Sequence, residues 1–342
     1  MYFAVLGKNS EISLAELEYA QPKNIKPIRN NIITFDSDFP EHIQQLGWVI
    51  KWGRVVEKEE MLKRLQTTKL IGVNDENLGK NLKSEYGIKR FKLVKLAHTD
   101  KEVKDKWLEI IQISKENFWI VEGYQPIYLY EVVDFEKPGR SMQMGMMPAK
   151  LTHIMLNIWL THTSPENICI YDPFVGSGTT GFLANHFWYD FIGSDIDISY
   201  AEKNKPRRIG HKLANPDKKF ELFTHDIYDK FTAPFNRNNM MILTEWRLGP
   251  IITANSTPRD VQSAQVQVLK LYESFLDRIT ELKTKNPELV TVCTIPYYVW
   301  HSNALEAKLQ EKARKIGLQI QSIPEIYARK EQLIGRKILI IN

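Results

Sequence analysis

A glycine-rich loop between a buried strand and a helix is the feature that most limits what this chain can fold into. The apolar run Ile168–Tyr171 predicts the strand, and the segment Asp172–Thr180 (DPFVGSGTT) follows it. A helical pattern then covers Thr179–Trp188. Gly176 and Gly178 permit a tight turn and a close approach of the backbone to a ligand. This order is typical of open α/β sheets that bind a ligand at the carboxyl ends of their strands.

The remainder of the second half of the chain alternates strands and helices in the same way. Further strands are predicted at Phe191–Ser194, Phe220–Phe223, Met240–Thr244, Leu289–Thr294 and Lys337–Ile341. Helices are predicted from Pro148 onward and at Ser199–Lys205, Val261–Lys283 and Asn303–Ile316. Regular alternation predicts a mostly parallel sheet with helices on both faces, a Rossmann-like α/β domain. The breaker cluster Lys137-Pro138-Gly139-Arg140 is a plausible linker before this domain.

The first part of the chain has the pattern of a smaller α+β region. Strands are predicted at Tyr2–Gly7, Ile32–Phe35 and Val49–Val56, and helices after Ser13 and at His42–Leu46. Ser13 is the predicted N-cap, with Glu16 at the capping-box spacing. Further along, Phe118–Val121 and Ile127–Val133 predict a hairpin that turns near Gly123–Pro126.

Composition is that of an ordinary globular protein. The 342 residues are 43% hydrophobic and 25% charged, and this length predicts two or three domains. No apolar run is long enough to span a bilayer and the N-terminus lacks a signal-peptide layout, so we expect a cytoplasmic protein. Cys169 and Cys293 both lie in apolar runs and are predicted to be small core residues. The eight histidines lack zinc-like spacing, and no metal site is predicted.

The net charge of +5 is mild, but its distribution is uneven. One cluster consists of Lys80, Lys83, Lys89, Arg90, Lys92 and Lys95, and a second of Lys203, Lys205, Arg207, Arg208, Lys212, Lys218 and Lys219. Such clusters suit a phosphate backbone, whose binding is electrostatic and depends on salt. A solvated helix face is the alternative interpretation.

Acidic residues follow three successive predicted strands. Asp172 can accept from the cationic amino-acid part of a sulfonium cofactor, Asp195 from the two hydroxyls of a ribose, and Asp226 from an adenine amino group. Asp197 is better suited to cap a helix. The loop does not have the spacing of the dinucleotide fingerprint G-x-G-x-x-G. S-adenosyl-L-methionine is therefore the predicted cofactor, with these predicted binding residues: Asp172, Pro173, Phe174, Gly176, Gly178, Thr179, Asp195, Ile196, Asp226 and Ile227.

Asp-Pro-Phe-x-Gly-Ser-Gly-Thr resembles the first motif of methyltransferases that act on exocyclic amines of nucleic-acid bases. Much of the chain also resembles THUMP-associated tRNA guanosine N2-methyltransferases, which modify guanosine 10 of tRNA. The matching stretches are Leu6–Asn9, Leu14–Leu17, Leu46–Lys51, Gly139-Arg140 and Gly145–Leu151.

This resemblance implies a ferredoxin-like domain at 1–58, a short THUMP-like RNA-binding region at 59–137 and a class I methyltransferase domain at 138–342. It implies tRNA as the partner, and RNA contacts from Lys83, Lys89, Arg90, Lys92 and Lys95. The eukaryotic branch of the family needs a small activating subunit, so the resemblance leaves open whether one acts here.

The fourth motif departs from the family, which has Asp-Pro-Pro-Tyr or Asn-Pro-Pro-Tyr after the fourth strand. Here Glu245-Trp246-Arg247-Leu248 stands at that place. Glu245 can still accept hydrogen bonds from an amine, Trp246 offers a stacking surface displaced by two residues, and Leu248 replaces the aromatic residue. These three are the predicted catalytic residues. Two alternatives stay open: a tRNA-binding protein that has lost catalysis, and a DNA amino-methyltransferase.

For several other polar and aromatic residues, the sequence gives weaker evidence of a role in the site. His153, Asn157 and His162 are expected to have capping or core roles rather than catalytic ones. Ile295-Pro296-Tyr297-Tyr298 after the fifth strand could either line the substrate opening or cover the core.

Overall fold

The computed structural model describes residues 1–29, 31–112, 118–137, 139, 146–161, 168–205, 215–231, 239–250, 252–253, 255–299, 304–328 and 332–342. These form two compact units, Met1–Pro126 and Ile127–Asn342. No helix in the described ranges is long and apolar enough to cross a membrane.

The first unit contains an eight-stranded sheet with the order β2-β3-β1-β4-β8-β7-β5-β6. Its strands are β1 (Tyr2–Val5), β2 (Lys23–Arg29), β3 (Ile32–Asp36), β4 (Lys51–Val56), β5 (Leu70–Val73), β6 (Arg90–Leu93), β7 (Leu108–Gln112) and β8 (Phe118–Tyr124). Strands β5, β6 and β7 are parallel to one another, whereas β1, β3, β4 and β8 pair antiparallel. A single sheet thus joins strands from both predicted N-terminal regions, and the division at residue 58 stays a prediction.

The helices of this unit are α1 (Ser10–Leu17), α2 (Pro40–Ile43), α3 (Lys58–Thr67), α4 (Glu76–Tyr86) and α5 (Lys101–Lys106). The predicted N-cap at Ser13 is wrong, because α1 begins at Ser10 with Asn9 in the cap position. The Ser13 hydroxyl instead donates to the Asn9 carbonyl at 3.0 Å. Glu16 is fully buried, and its carboxylate accepts from the backbone N–H groups of Gly47 and Trp48 at 2.6 and 2.7 Å. The apparent capping box therefore reflects a buried carboxylate that holds a turn.

The second unit contains a seven-stranded sheet with the order β11-β10-β9-β12-β13-β15-β14. Its strands are β9 (Cys169–Asp172), β10 (Asp190–Asp195), β11 (Phe220–Thr224), β12 (Met240–Glu245), β13 (Thr291–Tyr298), β14 (Ile320–Tyr327) and β15 (Ile334–Ile341). Strands β9 to β13 pair in parallel, and β15 pairs antiparallel with both β13 and β14. The predicted mostly parallel, Rossmann-like sheet is confirmed. Strand β14 was not predicted.

Helices of the second unit are α6 (Ile127–Glu131), α7 (Ala149–Leu160), α8 (Thr179–His186), α9 (Ser199–Lys203), α10 (Pro258–Lys283) and α11 (Leu305–Lys315). Apolar side chains of α10 pack on the sheet: Val268, Phe275, Leu276, Ile279 and Leu282 belong to one buried core with Cys169 and Cys293. Both cysteines are free and buried, as predicted. Helix α10 begins with a full capping box between Thr257 and Asp260.

The predicted hairpin at the start of this unit is wrong. Strand β8 continues to Tyr124, and Ile127–Glu131 is an α-helix that leads into a π-helical turn at Val132–Glu136. Short apolar runs do not distinguish a strand from a buried helix by periodicity alone. Here Leu129, Val132 and Val133 face the core formed with α7 and α8, which favours the helix.

Candidate cofactor and active site

The five parallel strands β9 to β13 end at one edge of the second sheet, and three of them end in an acid. In the register of the sheet, Asp172 lies beside Gly193 and Asp195 lies beside Thr224. Glu245 ends β12, the neighbour of β9 on its other side. Carboxyl ends of parallel strands are where such sheets bind ligands, because the loops that follow leave a crevice there.

A cavity of about 830 Å³ occupies this edge. Nine of the ten predicted cofactor residues line it, and so do all three predicted catalytic residues. The exception is Gly178, whose position is explained by the loop. With φ of +80°, it forms the N-cap of α8, and an added Cβ would lie 3.6 Å from Ala201 of α9. Gly176 also has positive φ, at +47°. The two glycines therefore shape the turn, and only Gly176 borders the cavity.

Asp172 is buried at the end of β9, with 2% of its surface exposed. Its Oδ1 accepts from the Thr244 hydroxyl at 2.6 Å and from the Phe174 N–H at 3.0 Å. Burial raises the pKa of the Asp172 carboxyl to about 7, although hydrogen bonds from Thr244, Thr180 and Phe174 oppose the shift. A carboxylate so far out of water gains most from a cationic partner, which the ammonium of an amino-acid moiety provides.

Asp195 at the end of β10 is hydrogen-bonded to the loop that follows β9. Its Oδ2 accepts from the Gly176 N–H at 2.9 Å, and its Oδ1 from the Asp197 N–H at 3.3 Å. Burial raises the pKa of the Asp195 carboxyl, against the backbone hydrogen bonds. A carboxylate has four lone-pair positions, so this arrangement leaves acceptor capacity for ribose hydroxyls. Asp197 accepts from the Ser199 N–H at 2.9 Å where α9 begins, in keeping with its predicted capping role.

The segment after β11 supplies an aromatic and apolar wall. His225 stacks on Phe231 at 4.8 Å, and burial lowers the pKa of its imidazole. Among the described residues, its buried Nε2 has no hydrogen-bond partner. Asp226 Oδ1 accepts from the Tyr228 N–H at 3.0 Å. Ile196 after β10 also lines the cavity, and it is 71% exposed.

The cavity thus offers the donor and acceptor set that S-adenosyl-L-methionine requires. It combines a buried carboxylate for an ammonium, a second carboxylate at the end of the next strand for a ribose, and an apolar wall with a polar atom for an adenine. These features belong to Asp172, Asp195, Ile196 and His225.

Glu245 forms a buried ion pair that the sequence did not reveal. Arg336 Nε on β15 donates to Glu245 Oε1, and the two side chains are 7% and 10% exposed. Burial raises the pKa of the Glu245 carboxyl, and Arg336 opposes this rise. Both residues line the cavity. No motif surrounds Arg336 in the sequence, so only the sheet order, which places β15 two strands from β12, could have indicated it.

The loop after Glu245 is held by two tyrosine hydroxyls. Tyr272 on α10 donates to the Arg247 carbonyl at 2.5 Å, and Tyr298 on β13 donates to the Leu248 carbonyl at 3.4 Å. Gly249 has φ of +89°, a region that favours glycine. The loop therefore has a defined path without the two prolines of the related motif.

Trp246 has a different place from the one its predicted role requires. Although it borders the cavity, its side chain is fully buried, packed against Tyr272 at 4.3 Å and edge-on to Phe275 at 4.9 Å. The indole is part of the sheet–helix core. Its predicted use as a stacking surface disagrees with this placement, since the ring would have to leave the core. Leu248 is half-buried beside it at the cavity.

The predicted RNA-binding residues lie in the first unit, on α4 and around the edge strand β6. Lys83, Lys89, Arg90 and Lys95 are exposed, whereas Lys92 is half-buried and pairs with Asp100 at 3.0 Å. The Arg90 guanidinium lies 5.2 Å from the centre of the Trp107 ring.

His153, Asn157 and residues 295–298, whose roles the sequence left open or placed in the core, do not line the cavity. His153 and Asn157 are buried on α7, and His153 Nδ1 lies 2.8 Å from the Tyr130 hydroxyl. This placement agrees with the predicted core role. Residues 295–298 continue β13 and do not line the cavity described above. Eight residues named in the sequence predictions lie outside the described residues: Pro138, Arg140, Gly145, His162, Arg207, Arg208, Lys212 and Asn303.

Known proteins resemble this chain at the level of sequence and of fold. The profile of a family described as DNA methylase matches residues 36–206, which is half of the chain. A Type II methyltransferase, M2.LlaDCHI of Lactococcus lactis subsp. cremoris, is 38% identical over 63 residues. That match covers 18% of this chain and 23% of the relative, so the chain spans about a quarter of that relative's length.

Two solved structures align along nearly the whole chain. One is a predicted N6-adenine-specific DNA methylase from Listeria monocytogenes, with 12% identity and a TM-score of 0.42 over 98% of this chain and 95% of that one. The other is a candidate methyltransferase complexed with SAH, with 14% identity and a TM-score of 0.43 over 99% and 97% of the two chains. Because the family profile covers half of the sequence, the chain belongs to the DNA methylase family and is an S-adenosylmethionine-dependent methyltransferase.

Proposed function

We propose that this protein transfers a methyl group from S-adenosyl-L-methionine to an exocyclic amino group of a nucleic-acid base, guanine N2 at position 10 of tRNA. The observation that carries the proposal is one carboxylate, Glu245, which borders the same cavity as the cofactor residues Asp172 and Asp195. The resemblance of the N-terminal half to tRNA guanosine N2-methyltransferases supports tRNA as the substrate.

Different residues around the cavity would bind different parts of the cofactor. Asp172 would hold the ammonium of the methionine part, Asp195 the ribose hydroxyls, and Asp226 the adenine amine, with Ile196 and Ile227 against the ring. When bound, the cofactor supplies a methyl group on a cationic sulfur, which is a good electrophile. The chain's residues have to orient the acceptor and exclude water.

Glu245 has the central part in that orientation. The lone pair of an exocyclic amine is delocalised into its ring, so the nitrogen attacks only when the amine is held in line with the methyl group. A carboxylate that accepts an amine hydrogen bond fixes this direction and stabilises the positive charge that develops on nitrogen. The amine gains the methyl group and loses one proton. The Glu245 carboxylate would accept that proton, and the raised pKa that burial gives this carboxyl supports the assignment.

The first unit supplies the surface that suits an RNA backbone. Exposed Lys83, Lys89, Arg90 and Lys95 lie on α4 and next to the edge strand β6. Basic residues on an edge strand also prevent unwanted strand pairing, so their presence alone does not identify a partner. Together with the resemblance, they support contacts to tRNA phosphates.

The direct test is methyl transfer to defined nucleic acids. The purified protein is incubated with cofactor labelled in the methyl group and an unmodified tRNA transcript, and the nucleosides are then analysed by mass spectrometry. The proposal expects N2-methylguanosine at position 10, and loss of transfer in Glu245→Gln. Binding of both the cofactor and tRNA by calorimetry, with no methyl transfer to tRNA or DNA, would contradict the proposal and favour a tRNA-binding protein without catalysis.

A DNA base is the second candidate substrate. The DNA methylase family match and the 63-residue match to a Type II methyltransferase both favour it. Competition between unmodified tRNA and duplex DNA at moderate salt separates the two, because both contain phosphates and only the true substrate is methylated. Incorporation of methyl groups into adenine or cytosine of DNA, with none in tRNA, would establish this candidate instead.

A further inference from the structure

The ion pair between Glu245 and Arg336 is buried, and burying two charges costs free energy. Removing both charges from water is unfavourable, and their attraction recovers that cost only with good geometry. Arg336 Nε donates directly to Glu245 Oε1, with less than a tenth of the Arg336 side chain exposed. The pair stands at the cavity rather than deep in a core, since both residues line it. This suggests a use for the guanidinium in the cavity itself.

A carboxylate beside a guanidinium presents an acceptor next to donors. An ionised carboxylate only accepts hydrogen bonds, whereas a guanidinium has five N–H donors in a fixed plane, of which Nε serves Glu245. Bases with an exocyclic amine show the complementary pattern, because a ring nitrogen that accepts lies beside the amine. In guanine this is N3 beside the N2 amine, and in adenine N1 beside the N6 amine. The pair can therefore contact both atoms at once.

We propose that Arg336 is a positioning and specificity-determining residue, which holds Glu245 as an ionised acceptor and donates to the ring nitrogen beside the target amine. This inference rests on the proposed function and extends it from one contact with the amine to a two-point contact with the base edge.

The polar and charged groups around Glu245 show how Arg336 affects the pKa of the Glu245 carboxyl. Arg336 faces it from β15, and the Tyr272 hydroxyl from α10 is engaged with the Arg247 carbonyl. On the neighbouring strand β9, the Asp172 carboxyl accepts from Thr244, the residue before Glu245. Arg336 is therefore the cation that opposes the effect of burial on Glu245, and without it the carboxyl takes up a proton at higher pH.

The first test changes the substrate and leaves the protein intact. A tRNA transcript with 3-deazaguanine at the target position keeps the amine but replaces the accepting ring nitrogen by a C–H group. We expect wild-type protein to show a kcat/KM roughly tenfold or more lower on this substrate, because it cannot accept the hydrogen bond from the charged donor. For a DNA substrate the corresponding probe is a duplex with 1-deazaadenine. Equal rates on the paired substrates would overturn the proposal.

The second test compares variants on the same two substrates. Arg336→Met should methylate both at rates equal within about twofold, since the interaction that distinguishes them is gone. Arg336→Lys keeps a cation and should retain part of the discrimination. A variant that merely loosens the fold would lower both rates and keep their ratio. An unchanged ratio in Arg336→Met would therefore contradict the proposal.

The pH dependence of kcat provides a third, independent test. At saturating cofactor, the acidic limb of kcat should move to higher pH in Arg336→Met and remain near the wild-type position in Arg336→Lys. Saturation matters because Asp172 also titrates, with a pKa of about 7, and its protonation should affect cofactor binding. An acidic limb at the same pH in Arg336→Met and wild type would contradict the role of Arg336 in holding Glu245 ionised.

The outcomes separate this inference from the proposed function. No methyl transfer by wild-type protein to unmodified tRNA or DNA contradicts the proposed function, and the inference with it. Normal wild-type transfer with equal rates on the deaza substrates contradicts only the role of Arg336. Where Arg336→Met does not fold, the wild-type comparison and Arg336→Lys still decide the question.

Discussion

At the scale of single residues, Asp172 is a cavity group whose burial brings its titration into the neutral pH range. Its pKa is about 7 because the carboxyl is buried at the end of β9. Below that pH the carboxyl is neutral and loses its attraction for the cofactor ammonium. Cofactor affinity should therefore rise between pH 6 and 8.

Calorimetry across this range measures the effect. Asp172→Asn, which cannot ionise, should bind the cofactor roughly tenfold or more weakly at pH 8 and show little of the pH dependence. A wild-type affinity that is flat from pH 6 to 8 would show that Asp172 does not hold the ammonium.

A second buried charge pair concerns stability rather than catalysis. In the first unit, Lys51 Nζ contacts Glu109 Oε1 at 2.5 Å and the Lys95 carbonyl at 2.9 Å, and both side chains of the ion pair are fully buried. The Tyr124 hydroxyl donates to Glu109 Oε2 at 2.7 Å. Lys51→Met leaves Glu109 buried without its cation, so we expect a loss of roughly 3–5 kcal/mol in the free energy of unfolding.

Urea denaturation of the full chain checks this prediction. The double variant Lys51→Met/Glu109→Leu should recover much of the loss, since no uncompensated charge then stays buried. Equal destabilisation in the single and double variants would mean that packing around Lys51, and not its charge, matters.

At the scale of elements, the loop after β12 shows how structure can replace a missing sequence motif. The Tyr272 and Tyr298 hydroxyls hold the carbonyls of Arg247 and Leu248. We expect Tyr272→Phe to lower kcat severalfold, because one hydrogen bond contributes about 1 kcal/mol to the position of the loop. The cofactor KM should stay unchanged, since the Tyr272 hydroxyl holds none of the cofactor residues.

Steady-state kinetics of Tyr272→Phe, beside the control Tyr128→Phe, separates these effects. Tyr128 on α6 is 58% exposed and does not line the cavity, so its hydroxyl should be dispensable. A parallel loss of kcat in both variants would argue against a specific role for the Tyr272 hydroxyl.

The basic edge of the first sheet supplies another prediction at this scale. Replacing Lys83 and Lys89, both exposed, with alanine should weaken tRNA binding and lower the slope of log affinity against log salt by about 1 for each phosphate that the variant no longer neutralises. Lys26→Ala on β2, at the opposite edge of the same sheet, is the matched control. Filter binding at several salt concentrations makes the measurement. Equal slopes in all three proteins would exclude this edge as the RNA surface.

The elements also show where sequence reasoning succeeds and where it stops. The strands of the second sheet carry long apolar runs, and most of them can be predicted to within a few residues. The helix at Ile127–Glu131 was predicted as a strand, because five residues give no usable period. Strand β14 was missed, since its polar and charged positions, including Gln321, Ser322 and Glu325, obscure the apolar pattern of an edge strand.

At the scale of the whole molecule, the two units carry separate parts of the proposed function. The second unit contains every residue of the cavity, and the first contains the basic edge at β6. The acids at the strand ends could be predicted because loop chemistry and sheet topology place them together. The position of Arg336 could not be predicted, because it depends on β15, a strand late in the sequence that pairs antiparallel with β13.

The most direct measurement of the proposed activity is mass spectrometry of nucleosides from unmodified tRNA incubated with cofactor and protein. We predict one N2-methylguanosine per tRNA with the wild-type protein and none above background with Glu245→Gln. Cofactor binding without any methylated guanosine, or equal methylation by Glu245→Gln, would contradict this prediction.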